Sequence, residues 1–167
     1  SWIILYPEGT FFDRIYPKVL ANSRKYSQKL DREPFKNLLI PRSRALRVIC
    51  KNFRHRFDAI LDITVIYPNT RGPNGVRFSS PSIVEYLTGV HNEVEIIMQY
   101  IEMKELPESD NDLEKWLYEL YRHKDNLMTE YYSSDKSICE IFDVNPGTVI
   151  RHDRKPFIIA HILLPMI

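Results

Sequence analysis

Residues 2–10 have the sequence WIILYPEGT, in which an apolar run is interrupted by Pro7 and Gly9. An apolar run that stops at Pro and Gly is typical of a buried strand leading into a tight loop. Parallel strands covered on both faces have such continuous apolar runs, and ligands of open α/β sheets collect beyond their carboxyl ends. The pattern therefore predicts a buried strand with Glu8 at a ligand-binding position. A carboxylate there can accept hydrogen bonds from a polyol, orient a basic partner or cap a helix.

Helix and strand patterns alternate along the first half of the chain. The patterns predict helices at about residues 17–31, 44–53, 80–88 and 112–132, and strands at about 38–40, 58–67 and 93–102. This alternation predicts an α/β fold with a mainly parallel sheet flanked by helices, followed by a helical C-terminal extension. Because the chain begins inside a predicted strand, we expect the sheet to be incomplete, with the N-terminal half of its domain missing.

The net charge of +1 conceals an uneven distribution of charge along the chain. Residues 14–56 contain thirteen Lys and Arg but two Asp and Glu, whereas residues 85–143 contain five and fifteen. A basic region of this kind suits an anionic partner such as phosphate, a lipid headgroup or nucleic acid. A pair of solvated helical faces would give the same pattern. Nucleic acid is not expected as a partner, because neither base-stacking aromatics nor helix-turn-helix spacing is evident.

The chain contains little that suggests a complete catalytic or metal site. Its two cysteines, Cys50 and Cys139, fit reduced thiols and do not have the spacing of zinc ligands. None of the five histidines lies in an H-x-x-x-x-D motif, and no G-x-S-x-G motif is present. We therefore expect the histidines to be surface or local structural residues, with no catalytic residue, metal or cofactor in this chain.

The C-terminal stretch, residues 157–167, is apolar apart from His161. It is shorter than the ~20 residues that a membrane-spanning helix needs. The first part of a membrane segment and a buried strand both fit this pattern.

Three sequence blocks, taken together, resemble one enzyme family. YPEGT at residues 6–10 resembles the F-P-E-G-T-R block of the 1-acylglycerol-3-phosphate acyltransferases, a glycerolipid acyltransferase family. LIPRSRAL at 39–46 resembles their V-x-x-P-R-x-x-G/A-L block, and DAILDITVIY at 58–67 resembles their D-A-I-Y-D-V-T-V-x-Y strand. Order and spacing agree with the eukaryotic branch that includes the lysocardiolipin acyltransferases. The resemblance extends from Trp2 to about Tyr132.

The resemblance implies a membrane-bound enzyme that transfers an acyl group from acyl-CoA, its co-substrate, to a lysophospholipid such as lysophosphatidate. Residues 1–68 would be the C-terminal part of the acyltransferase domain, 69–135 its C-terminal region, and 136–167 a tail with the start of a possible membrane segment. The expected location is the endoplasmic reticulum membrane, or a mitochondrial membrane, with the active face in the cytosol. In the family a His in an N-H-x-x-x-x-D block is the general base. That block is not in this chain, so we expect the chain alone to be inactive. The alternative is a non-catalytic protein that binds anionic lipid or acts as a scaffold.

The resemblance also implies which residues bind substrate. Glu8, Gly9 and Thr10 would line the acceptor pocket on its glycerol-phosphate side. Pro41 would shape a strand end, and Arg42 or Arg44 would attract an anionic headgroup or the phosphates of acyl-CoA. For these residues, strand termination by Pro41 and solvated arginines are the alternative.

One position departs from the family pattern. Phe11 stands where the family usually has Arg, and Phe cannot bind phosphate. Either another base such as Arg14 substitutes, or the acceptor is not a simple phosphate monoester, or the protein is impaired.

Overall fold

The computed structural model describes residues 2–88 and 93–143. The helices are α1 (Pro17–Lys29), α2 (Arg44–Phe53), α3 (Ile83–Thr88), α4 (Asp110–Ser133) and α5 (Ile138–Phe142), and the strands are β1 (Ala59–Ile66) and β2 (Glu95–Glu102). Short 3₁₀ turns lie at Arg54–Arg56, Pro68–Thr70, Pro73–Gly75 and Met103–Glu105. The described fold is therefore mixed α/β, as predicted.

The long helix α4 is the element around which the described residues pack. Its start is fixed by Ser109, whose hydroxyl accepts the Asp112 backbone N–H, as expected of an N-cap serine. Two apolar clusters lie along it. The first includes Phe35, Ile40, Leu46, Ile101, Leu113, Leu117, Tyr118 and Tyr121. The second includes Ile66, Met128, Tyr131, Tyr132 and Ile141. Because both clusters include side chains of α4, this helix connects segments from the whole described chain.

The sheet consists of β1 and β2, which pair antiparallel over their full length, with Ala59 opposite Glu102 and Ile66 opposite Glu95. The mainly parallel sheet that we predicted is thus not confirmed. Alternate residues of a strand point to opposite faces, and the two faces of this sheet differ. One face contributes Ile66 and Ile101 to the core. The other face is apolar but exposed, with three cross-strand pairs: Leu61 with Tyr100, Ile63 with Met98, and Val65 with Ile96.

The prediction of a buried first strand is wrong for the structure as described. Residues 2–6 form neither helix nor strand, and Trp2, Ile4 and Tyr6 are 86%, 79% and 78% exposed. An apolar run forms a strand only where a neighbouring strand pairs with its backbone. Among the described residues the strands β1 and β2 pair with each other, and neither pairs with this run.

The prediction of a short buried strand at 38–40 is correct for the burial and wrong for the secondary structure. Leu39 and Ile40 are each 3% exposed, as expected, but the segment is not a strand. Its backbone donors bind side chains instead, as described below.

Most of the remaining elements lie where they were predicted, with small differences in length. The helix expected at 80–88 begins at Ile83. The helix α5 was not predicted, although Ser137 and Glu140 form the capping box that marks its start. The apolar stretch at 157–167 lies outside the described residues. Among the residues that are described, no helix is both long and apolar enough to cross a bilayer.

Candidate functional site

The structure brings the first two sequence blocks into direct contact. The backbone N–H of Arg42 donates to the carbonyl oxygen of Pro7 at 2.8 Å. The backbone N–H of Leu39 donates to Oε2 of Glu8 at 2.7 Å. Two hydrogen bonds across about thirty residues of sequence therefore join YPEGT to LIPR.

A tight turn directs the Glu8 side chain inward. The N–H of Gly9 donates to the carbonyl oxygen of Tyr6 at 3.0 Å, and Gly9 has a φ of +72°. Glycine is favoured here because other residues enter this left-handed region at a cost. The turn places Glu8 against the segment 36–40 and leaves Gly9 and Thr10 exposed.

Side chains from three other parts of the chain bind the backbone of segment 36–40. The Asp125 carboxylate accepts the N–H groups of Lys36 and Asn37, at 3.0 and 2.7 Å. The Ser23 hydroxyl accepts the N–H of Ile40 at 2.9 Å. On the acceptor side, a guanidinium N–H of the buried Arg77 donates to the carbonyl oxygen of Asn37 at 3.0 Å. These side chains replace the ladder that a strand would have, which is why the segment is buried without being a strand.

Charged groups of α4 and of the loop that contains Arg77 lie close to Glu8. The Lys124 ammonium contacts Oδ1 of Asp62 at 2.6 Å in a largely buried ion pair. Desolvation raises the pKa of Glu8 to about 7, although the Leu39 N–H and the charges of Lys124 and Arg77 oppose that rise. Glu8 can therefore exchange a proton near neutral pH, whereas most exposed carboxyls remain ionised there.

Tyr121 completes this buried cluster. Burial raises the pKa of its hydroxyl, and the neighbouring carboxylates of Glu8 and Asp62 raise it further. The Lys124 ammonium lies 5.2 Å from the centre of the Tyr121 ring. The tyrosine therefore stays protonated. Its ring and the Asp62 carboxylate both lie close to the Lys124 ammonium.

The six residues predicted to bind substrate separate into two groups. Glu8 and Pro41 contribute to packing, since the Glu8 carboxylate is engaged by Leu39 and Pro41 is buried. The other four are exposed: Gly9, Thr10, Arg14 and Arg42. The Arg42 guanidinium lies 5.7 Å from the centre of the Tyr26 ring, a distance at which cation–π attraction orients it.

The inner part of the site was not predicted from the sequence. Lys124 and Asp125 lie on α4 among the buried positions of its apolar stripe, between Tyr121 and Met128. Two adjacent charged residues on such a stripe are the signal that could have identified them, because buried charges need partners. For Arg77, which lies in a loop, no comparable signal exists.

Comparisons with known proteins agree with the three-block resemblance. The family described as acyltransferase C-terminus matches residues 85–162. A 1-acyl-sn-glycerol-3-phosphate acyltransferase epsilon of Mus musculus is 31% identical over 133 residues, 80% of this chain and 36% of the mouse protein. A 2-acyl-1-lysophosphatidylinositol acyltransferase of Saccharomyces cerevisiae is 30% identical over 142 residues, 83% of this chain and 34% of the yeast protein. No solved structure matches the chain.

The chain spans about a third of the length of these curated relatives. The matched C-terminal region includes β2 and α4, and α4 contributes Asp125, which binds the segment that precedes Pro41. Sequence blocks, relatives and family match all agree, and the chain belongs to the 1-acylglycerol-3-phosphate acyltransferase family, of which it matches the C-terminal part.

Proposed function

We propose that this chain is the acceptor-side part of a membrane-bound acyltransferase that moves an acyl group from acyl-CoA to a lysophospholipid such as lysophosphatidate. The observation that carries the proposal is the pair of hydrogen bonds joining YPEGT to LIPR, Glu8 with Leu39 and Pro7 with Arg42. The relatives act, by their names, on acylglycerol phosphate and on lysophosphatidylinositol. Both acceptors carry a phosphate on a glycerol backbone.

The exposed residues of the two blocks suit such an acceptor. A guanidinium binds phosphate through charge-assisted and often bidentate hydrogen bonds, and Arg14 and Arg42 are both exposed. Gly9 and Thr10, which are also exposed, offer backbone and hydroxyl groups. In this assignment Glu8 and Pro41 fix the positions of the two blocks. Arg14 supplies the positive charge that Phe11 lacks.

In the reaction the acceptor oxygen forms a bond to the acyl carbon, and the carbon–sulfur bond of the thioester breaks. Coenzyme A leaves as the thiolate, and a general base takes the proton of the acceptor hydroxyl and passes it to that thiolate. The resemblance assigns the base to an N-H-x-x-x-x-D block that this chain does not contain. The chain contributes binding and orientation of the acceptor. We place the reaction at the endoplasmic reticulum membrane, with a mitochondrial membrane as the alternative.

A chimeric protein tests the proposal. The N-terminal part of the mouse relative is joined to this chain in place of its own matching segment, and transfer of labelled acyl groups from acyl-CoA to lysophosphatidate and lysophosphatidylinositol is measured in membranes. We expect activity from the chimera and none from the 167-residue chain alone. Arg42→Gln should raise the KM for the acceptor about tenfold, the loss of one charge-assisted contact. Lys51→Gln, which removes an exposed cation of α2, is the matched control and should leave KM unchanged.

The alternative function, binding of anionic lipid without catalysis, is favoured by Phe11 at the position of the family Arg. An inactive chimera that is folded and membrane-bound, and that is not rescued by Phe11→Arg, would support this alternative. Rescue by Phe11→Arg would instead show that the acyl-transfer machinery is present but impaired.

A further inference from the structure

We propose that the loop at residues 11–16, together with the cations of α1, forms a docking surface for an anionic lipid bilayer. We name residues 11–16 the tip loop. It adds to the proposed acyl transfer, because it concerns how the chain meets the membrane and not how it binds the acceptor.

The tip loop is a closed turn that displays apolar side chains. The N–H of Tyr16 donates to the carbonyl oxygen of Asp13 at 3.2 Å, and the N–H of Ile15 donates to Oδ1 of Asp13 at 3.0 Å. The buried Asp13 thus fixes the turn from inside. Phe11 and Ile15 are 58% and 62% exposed, and Phe11 packs edge-to-face against the exposed Tyr16.

Within the part of the chain that the structure describes, these three side chains remain about half exposed. Each of them loses favourable burial by remaining in water, and the turn itself depends on Asp13. Side chains of this type, aromatic rings above all, are the ones that enter the headgroup region of a bilayer.

The charged residues of the tip loop and of the helix that follows it indicate the partner. Up to the end of α1, all five Lys and Arg side chains are exposed: Arg14, Lys18, Arg24, Lys25 and Lys29. Neither of the two acids in this region is exposed: Asp13 is buried, and the Glu8 carboxylate accepts the N–H of Leu39. The first exposed acid is Asp31. Exposed apolar side chains beside cations alone are the combination that binds anionic leaflets.

The outer face of the sheet provides the contrast within the same molecule. It is also exposed and apolar, through residues such as Ile63 and Met98 at 49% and 60%. The three cross-strand pairs that form it contain no cation. It therefore lacks the electrostatic attraction that distinguishes the tip loop.

The test is sedimentation of the purified 167-residue chain with vesicles of phosphatidylcholine containing 30% phosphatidylserine, with no acyl donor present. We expect binding to these vesicles, and much weaker binding to phosphatidylcholine alone or in high salt. Phe11→Ser/Ile15→Ser should weaken binding about tenfold or more. Lys18→Gln/Lys25→Gln, which removes two exposed cations of α1, should weaken it about fivefold per cation on anionic vesicles and little on neutral ones. Residues 157–167 are common to all variants, so their contribution cancels.

Ile63→Ser/Met98→Ser is the matched control, with two exposed apolar residues removed elsewhere, and should bind like the wild type. Circular dichroism verifies that each variant is folded, and the single change Ile15→Ser replaces the double variant if that one is not. The proposal is overturned if the tip-loop variants bind like the wild type, which is the result expected if this surface docks on another protein. It is also overturned if the control loses as much binding, or if phosphatidylserine makes no difference. Vesicle binding needs no catalysis, so the two experiments are independent. The chain can fail to bind vesicles while the chimera transfers acyl groups, and it can bind vesicles while the chimera is inactive.

Discussion

Glu8 and Asp125 are two carboxylates that bind the same short segment in different ways. Asp125 lies on the long helix, is 3% exposed and accepts two backbone N–H groups, from Lys36 and Asn37. Glu8 lies in a turn and accepts one, from Leu39. The Glu8 carboxyl has a pKa raised to about 7, because desolvation exceeds the stabilisation that one N–H and two nearby cations provide.

The difference shows what a buried carboxylate requires. Each N–H donor directed at a carboxylate favours its charged form, and burial without enough donors favours the protonated form. Asp125 has more backbone contacts and is assigned to stability. Glu8 combines one backbone contact with a carboxyl whose pKa is raised to about 7. Four substitutions test this contrast, from the largest expected effect to the smallest.

Asp125→Ala should lower the free energy of unfolding by about 4 kcal/mol, because the buried N–H of Asn37 and the partly buried N–H of Lys36 lose their acceptor at once. Urea unfolding followed by circular dichroism measures the loss. Asn126→Ala, at the exposed neighbouring position, is the control and should change stability by less than about 0.5 kcal/mol. A cost for Asp125→Ala no larger than that of the control would refute the structural role.

Lys124→Met should cost about 3 kcal/mol, because it leaves Asp62 buried without its cation. Removing both partners in Asp62→Leu/Lys124→Met should recover much of that loss, since no uncompensated charge remains. Lys115→Met breaks the exposed pair with Asp112 and should cost about 0.5 kcal/mol or less. If the double variant is as unstable as the single one, the two charges are not coupled.

Glu8 should make stability depend on pH in an unusual direction for a carboxyl. Its pKa in the folded state, about 7, lies above the ordinary 4.5, so the folded protein binds the extra proton. Its contribution to stability is fully present below about pH 4.5 and is lost as the pH rises to about 7, by at most about 3 kcal/mol. Glu8→Gln keeps the acceptor oxygen and removes the titration. The variant should match the wild type near pH 4.5 and be the more stable of the two at pH 8. Equal stability at both pH values would show that the Glu8 carboxyl is not desolvated.

Ser23→Ala should have the smallest effect, about 1 kcal/mol, because a neutral hydroxyl accepts a single N–H from Ile40. Asn22→Ala, exposed on the same helix, is its control. A loss as large as that of Asp125→Ala would mean that the number and charge of the contacts do not determine their contribution.

The sequence predicted the helices and strands with a strong periodic pattern well, and it predicted residues 2–6 and 38–40 poorly. The helix α2 and the strand β1 have strong apolar patterns that match their local structure. Residues 2–6 and 38–40 have patterns of the same type but no pairing strand, and a pattern does not reveal whether a partner exists. The β-type composition of residues 2–6 therefore predicted a strand that the structure does not show.

The candidate site was predicted only where it follows from motifs. The blocks with Glu8 and Arg42 were identified in sequence, and the structure shows them in contact. The inward direction of Glu8 was not foreseen, because it depends on the turn at Gly9 and on the distant N–H of Leu39. The position of Asp125 on the apolar stripe of α4 indicates that it needs a partner, but a partner 88 positions away leaves no local sequence pattern that identifies it.

The contact between Asp125 and Lys36 has a consequence for how the protein is made. The two residues are 89 positions apart in the chain. A ribosome that has just added Lys36 must therefore synthesise all of β1, β2 and about two thirds of α4 before the acceptor for that backbone exists. During that interval Leu39 and Ile40, buried in the finished fold, have no assembled core to enter. The segment joining the two sequence blocks thus becomes ordered late in synthesis, and its apolar side chains stay exposed in the nascent chain until then.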